Sequence, residues 1–137
     1  MRKFYVGCAF VLTQFCFGQT FNEALKKASS EEKNIILVFA GSDWCAPCIK
    51  LDKEIFQSDA FDKEKKNWVF YKADFLKKSK LTADAKKENS QLADKYNPEG
   101  YFPLVVVLNS TGKVLGKLGY SKDTPSAYIQ KLNAFIR

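Results

Sequence analysis

Between Asn34 and Ala40 the chain reads Asn-Ile-Ile-Leu-Val-Phe-Ala, six apolar residues in succession with no polar break. A strand with one face in water alternates apolar and polar residues, whereas one that does not alternate must be covered on both faces. This run therefore predicts a strand inside a sheet, with helices above and below it. The stretch "FPLVVVLN" repeats the pattern. At 137 residues, 46% of them hydrophobic and 15% aromatic, the chain has the material for one domain with one sizeable core.

The remaining pattern supplies the covering helices. Thr20 or Asn22 caps a helix running through Phe21, Leu25 and Ala28, with Glu23 in its first turn. Gly41 breaks the first strand, and Cys48, Ile49, Leu51 and Ile55 suit a helix from about Cys45 to Phe56. Pro47 is tolerated in its first turn, where no N–H is needed. "SDAFDKEKKN" reads as a short helix or turn and "WVFYKADF" as the next strand. The second half of the segment from Leu76 to Asn97 reads as a helix, from Leu92, Ala93 and Tyr96, stopped near Asn97-Pro98. "STG" makes a tight turn into the hairpin partner "KVLGKLGY". Thr124-Pro125 opens a last helix with Tyr128, Ile129, Leu132, Phe135 and Ile136 on its apolar face. The expected order, α, β, α, (α), β, α, β, β, α, implies a mixed sheet with helices on both faces.

Just after the first strand comes Cys45-Ala46-Pro47-Cys48. Such a pair is a redox couple, half of a metal site or a small structural bridge. The chain has no histidine, which excludes a Cys-His or Ser-His pair and any zinc site using imidazole. One CxxC falls short of the four ligands of a structural zinc unless two chains share the metal, so no metal and no other cofactor are expected. A bridge closing so short a loop removes little chain entropy and would add little stability.

The N-terminus has the pattern of an export signal. Met1-Arg2-Lys3 is followed by a mostly apolar stretch too short to span a membrane, with small Cys16 and Gly18 at −3 and −1 of a cut before Gln19. Residues 1–18 are expected to be a secretory signal and 19–137 the mature domain. A buried first helix and a lipid-modified cysteine are the alternatives. Phe15 before Cys16 is too large for the latter, and the apolar run before Cys8 too short. Cleavage removes Cys8 and Cys16 and takes the formal charge from +7 to +5, leaving 20 basic and 15 acidic residues. Lysines in "DKEKKN", "LKKSK" and "DAKKEN" are mostly interleaved with acids, the pattern of solvated helix faces; nucleic-acid binding is not expected.

With WCxxC at a strand–helix junction, this order resembles the thioredoxin family. The resemblance covers about Thr20 to Arg137 and is carried by "WCAPC" at 44–48, "YFP" at 101–103 and the hairpin "VVVLNSTGKVLGKLGY". It is nearest to exported single-domain members in which the first helix leads directly into the active-site strand. It implies a thioredoxin-like α/β fold, a central mixed β-sheet flanked by helices on both faces. It implies that Trp44 flanks and shields the sulfurs and that Pro103 is a cis-proline facing them. Phe102 would then offer backbone groups to an extended substrate. The plainer alternative is that Pro103 merely opens a strand in trans.

The chemistry of the residues agrees. A helix N-terminus favours a thiolate, so Cys45 is expected to be the exposed nucleophile; Cys48, one turn on, resolves the mixed disulfide, and Pro47 stiffens the turn between them. Asp43 stands near enough to oppose thiolate formation. The chain also departs from the family. The buried acid usually found six positions before the first cysteine is replaced by Phe39, and Leu104 follows Pro103 where threonine is common. Lys72 either matches the lysine that accompanies that acid or is a solvent-facing strand lysine.

The expected function is a thiol–disulfide oxidoreductase of a Gram-negative type envelope, periplasmic or secreted, that reduces or isomerises disulfides. The alternative is a redox-inactive binding module using the aromatic groove around Trp44, Tyr101 and Phe102. The expected partners are disulfide-containing protein substrates and an envelope electron donor. The mature chain is expected to be a monomer without stable membrane insertion.

Overall fold

The computed structural model describes residues 19–137, so the expected signal, with Cys8 and Cys16, lies outside the described residues. Helix α1 (Phe21–Glu31) begins at Thr20, whose hydroxyl accepts the Glu23 N–H while the Glu23 carboxylate accepts the Thr20 N–H, a reciprocal capping box. Strand β1 (Asn34–Ala40) follows after a left-handed residue, Glu32. Helix α2 (Ala46–Leu51) runs on into a wider π turn over Asp52–Phe56. Then come α3 (Asp59–Glu64), β2 (Trp68–Asp74), α4 (Ala83–Tyr96), β3 (Leu104–Leu108), β4 (Val114–Leu118) and α5 (Pro125–Ala134).

The sheet order is β2-β1-β3-β4, with β1 parallel to β2 and antiparallel to β3, and β3 antiparallel to β4. It is the mixed sheet that two buried runs and a terminal hairpin require. Residues of β1 alternate between two cores. Ile36, Val38 and Ala40 pack with Cys48, Leu51, Ile55, Phe61, Tyr128 and Leu132 on one face. Ile35, Leu37 and Phe39 pack with Phe21, Ala24, Ala28, Leu92 and Tyr96 on the other. All six of these β1 residues are buried, which is why the run has no polar position to alternate with.

Two element boundaries differ from expectation. Helix α4 starts a full turn earlier than the apolar spacing indicates. Thr82 caps it by accepting the Ala85 N–H, so a cap rather than an apolar stripe starts the helix. Helix α5 stops at Ala134, leaving Ile136 exposed rather than on an apolar face. Phe135 instead lies against the backbone of Gly116, where any Cβ would overlap its ring.

Candidate active site

The end of β1 delivers the cysteines. Gly41 C=O accepts the N–H groups of Trp44 (3.2 Å) and Cys45 (2.8 Å), folding the chain into a turn that leads directly into α2. Cys45 is the N-cap of that helix, and its Sγ accepts the Cys48 N–H at 3.3 Å. The two cysteines form a disulfide, with Cα atoms 5.2 Å apart. Pro47 lies in the first turn, where it displaces no helical hydrogen bond. In this oxidised form Cys45 is 6% exposed and Cys48 3%. The exposure expected at Cys45 is therefore not seen while the bond is closed. What distinguishes the two sulfurs is position: Cys45 caps the helix and takes an N–H, while Cys48 lies inside its first turn.

Trp44 folds back over Gly41, whose missing Cβ is the space the indole occupies. The indole Nε1–H donates to Phe75 C=O at 2.6 Å, and Lys77 Nζ lies 3.9 Å above the ring. Trp44 also contacts Phe102 (ring centroids 5.6 Å), which contacts Phe75 (5.1 Å), which contacts Phe39 (6.4 Å). Phe39, in place of the family's acid, is thus the buried foot of an aromatic column rising to the active-site tryptophan.

Asp43 is engaged by the backbone of a loop distant in sequence. Its carboxylate accepts the backbone N–H groups of Lys77 (3.0 Å), Lys78 (2.7 Å) and Ser79 (3.0 Å). The Lys77 amide foremost holds the carboxyl below its ordinary range; desolvation opposes it, and the Ser79 and Lys78 amides add to the lowering. The charge is spent on clasping the lysine-rich loop beside Trp44, which leaves less of it to oppose a thiolate. Neighbouring Ser42 N–H is held by Asp74 Oδ1 at 2.9 Å.

The peptide bond between Phe102 and Pro103 is cis. Phe102 and Pro103 line an open cleft of about 470 Å³ with Pro47, Tyr101, Leu104, Gly119 and Tyr120. Pro47 and Pro103 therefore border one cleft although they are far apart in sequence. The segment before Pro103 is fixed by Asn97, a residue the sequence marks only as a helix stop. Its buried side chain donates to Tyr101 C=O (2.9 Å) and accepts Tyr101 N–H (3.0 Å). An asparagine in an Asn-Pro-x-Gly turn was the available signal.

Lys72 is half-buried and faces the same side of the sheet as Val38, opposite Phe39. Its Nζ lies 3.4 Å from Asp52 Oδ1. Thus Lys72 does not accompany position 39, and it is not simply solvent-facing.

A dithiol at the start of a helix, set at the end of a central strand beside a cis-proline cleft, defines a thiol–disulfide oxidoreductase. Comparison with known proteins gives the same class. The family profile described as a thioredoxin-like domain matches residues 21–136, and the chain belongs to that family. It is similar to disulfide bond reductase DsbH of Chlamydia pneumoniae, 30% identical over 124 residues, which cover 87% of this chain and 72% of that one. It is also similar to thioredoxin-related protein DsbJ of the same organism, 27% identical over 108 residues; these are 77% of this chain but 31% of DsbJ. Among solved structures, a DsbH oxidoreductase superposes with a TM-score of 0.81 at 29% identity, covering 86% and 82% of the two chains. A putative disulphide isomerase from Bacteroides thetaiotaomicron, at 24% identity and a TM-score of 0.62, covers 87% and 89% and shares the fold.

Proposed function

We propose that this oxidoreductase is exported and reduces or isomerises disulfides in envelope proteins, using Cys45 as nucleophile and Cys48 as resolving thiol. The observation that carries the reading is the Cys45–Cys48 bond at the N-cap of α2, with the Cys48 N–H on Cys45 Sγ. When the bond is reduced, that donor and the helix dipole favour a thiolate at Cys45. The thiolate attacks one sulfur of a substrate disulfide and the other leaves as a thiolate. Cys48 then attacks Cys45 Sγ, the second substrate sulfur leaves, and two electrons have passed to the substrate. An electron donor of the envelope restores the dithiol.

The cleft of Pro47, Tyr101, Phe102 and Pro103 gives an extended substrate segment a place at the proline between the two cysteines, with Trp44 packed against Phe102. The reducing direction is favoured by Ala46 and Pro47 between the cysteines, in a chain with no histidine to stabilise a thiolate, and by the similarity to a protein named as a reductase. Export is favoured by the basic start, short apolar stretch and small residues before Gln19. The internally bonded pair weighs against a redox-inactive binding module.

The test is insulin reduction by residues 19–137 with a small-molecule reductant. The chain should accelerate it over the reductant alone, and Cys45→Ser should abolish the gain. No acceleration would leave the dithiol without a catalytic role. Intact mass from an exporting cell tests processing: loss of residues 1–18 is expected, and a mass retaining them refutes export by this signal.

A further inference from the structure

Resolution of the mixed disulfide requires Cys48, a 3% exposed thiol, to lose its proton before it attacks. A cavity of about 120 Å³ lies against Cys48, lined also by Val38, Ser42, Asp52, Gln57 and Lys72. Liquid water takes about 30 Å³ per molecule, so the space admits a few waters. Asp52 is the one carboxylate of that lining. It stands four residues after Cys48, one helical turn along the same face, and its N–H donates to Cys48 C=O. Its Oδ1 is 3.4 Å from Lys72 Nζ and its Oδ2 accepts from Gln57 Nε2, which fix the carboxylate at the cavity. The π turn begins at Asp52 itself, and Lys53 and Gln57 after it also line the cavity.

The other nearby acids are engaged elsewhere: Asp43 by three backbone amides and Asp74 by the Ser42 N–H. Phe39 belongs to the opposite face of the sheet. The charged groups around Asp52 are cations: Lys72 from β2 and Lys53 from its own turn at this cavity, with Lys27 of α1 and Lys65 at the adjoining one.

We infer that Asp52, positioned by Lys72 and Gln57, accepts the Cys48 proton during resolution. The inference rests on the oxidoreductase reading above. The Cys48 S–H proton passes through cavity water to Asp52. The Cys48 thiolate attacks Cys45 Sγ, the Cys45–Cys48 bond forms and the Cys45–substrate bond breaks. The departing substrate thiolate takes up the proton Asp52 received, so the step is balanced without any other reactant. Asp52 acts on Cys48 without touching substrate, which makes it a positioning and proton-accepting residue rather than a nucleophile.

The experiment is a single turnover of the reduced chain with a peptide disulfide, following first-thiol release (attack by Cys45) and second-thiol release (resolution) from pH 5 to 9. Asp52→Asn should leave the first release unchanged and slow the second on the order of 10- to 100-fold at pH 7, at or below the lower end of the usual range for general-base catalysis. The deficit should shrink as pH rises, and Asp52→Glu should restore much of the rate. As a second readout, alkylation of Cys48 in the Cys45→Ser background should shift to lower pH when Asp52→Asn removes the neighbouring negative charge, so that slower resolution despite an easier ionisation separates proton transfer from simple electrostatics. A cooperatively folded Asp52→Asn variant with wild-type second release and an unmoved alkylation profile overturns the inference. Absence of the first release in the wild type would instead overturn the oxidoreductase reading.

Discussion

Replacing Asn97 with alanine should loosen the segment that presents Phe102 and Pro103. The side chain is 2% exposed and makes both hydrogen bonds to one residue, Tyr101 N–H and C=O, at 3.0 and 2.9 Å. A net contribution of about 0.5–1.5 kcal/mol per bond gives roughly 1–3 kcal/mol for the pair. The upper end would require Tyr101 to be left unsatisfied. Tyr101 is 62% exposed, so water can replace part of the loss, and about 1–2 kcal/mol is the expected destabilisation in urea. Asn97→Asp keeps the acceptor for Tyr101 N–H but loses the donor and buries a charge. Burial raises such a carboxyl's folded pKa, so this variant should be weakest at neutral pH and recover relative to the wild type as pH falls and the group is protonated. Both variants should reduce a protein disulfide more slowly while exchanging normally with a small thiol, which does not need the cleft. Asn97→Ala with stability within about 0.5 kcal/mol of wild type and an unchanged protein-reduction rate would refute the reasoning, since surface changes of no consequence fall in that range.

Gly41→Ala places a methyl group where the Trp44 indole lies. The ring must swing off Phe75 C=O, at about 1–3 kcal/mol, visible as altered tryptophan fluorescence and a lower urea midpoint; an unshifted spectrum would contradict the packing. Cys48→Ser should trap mixed disulfides with substrates on non-reducing gels and Cys45→Ser should trap few, with equal trapping contradicting the assignment of roles. Asp43→Asn should destabilise the chain at neutral pH through the loop of residues 77–79. Because the folded carboxyl is held low, the wild-type advantage is present above the unfolded pKa and lost as pH falls through the folded one. Thermal melts across pH 2–7 check it, and a pH-independent difference would show that the charge is not what matters.

The parts of the molecule legible in the sequence are those fixed by local pattern. The unbroken runs at β1 and β3, short and rich in Ile and Val, read as doubly covered strands, and Thr20 with Glu23, or Thr124 with Pro125, signal helix starts through contacts within one turn. The CxxC pair stood out because its position after a buried strand gives it a helix N-terminus. Contacts between distant segments were not legible. Asp43 finds its partners more than thirty residues later, so its nearness to Cys45 in sequence suggested repulsion where the fold provides three amides. Lys72 could be placed on β2 but not paired, because its partner Asp52 approaches from the π turn after α2 on one face of a sheet whose neighbouring register no spacing reveals. The π turn over Asp52–Phe56 is equally silent, since one extra residue per turn leaves the apolar pattern of a short helix almost unchanged.

The most direct test of a reducing role is the reduction potential of the Cys45–Cys48 couple, measured by equilibration against glutathione with the redox state read by mass. No histidine lies between the cysteines or elsewhere in the chain, and Ala46 and Pro47 offer the Cys45 thiolate no charge. The expected value is therefore nearer the roughly −270 mV of thioredoxin than the roughly −120 mV of a strong oxidant. A value above about −170 mV would place the couple on the oxidising side and make disulfide formation, not reduction, its work.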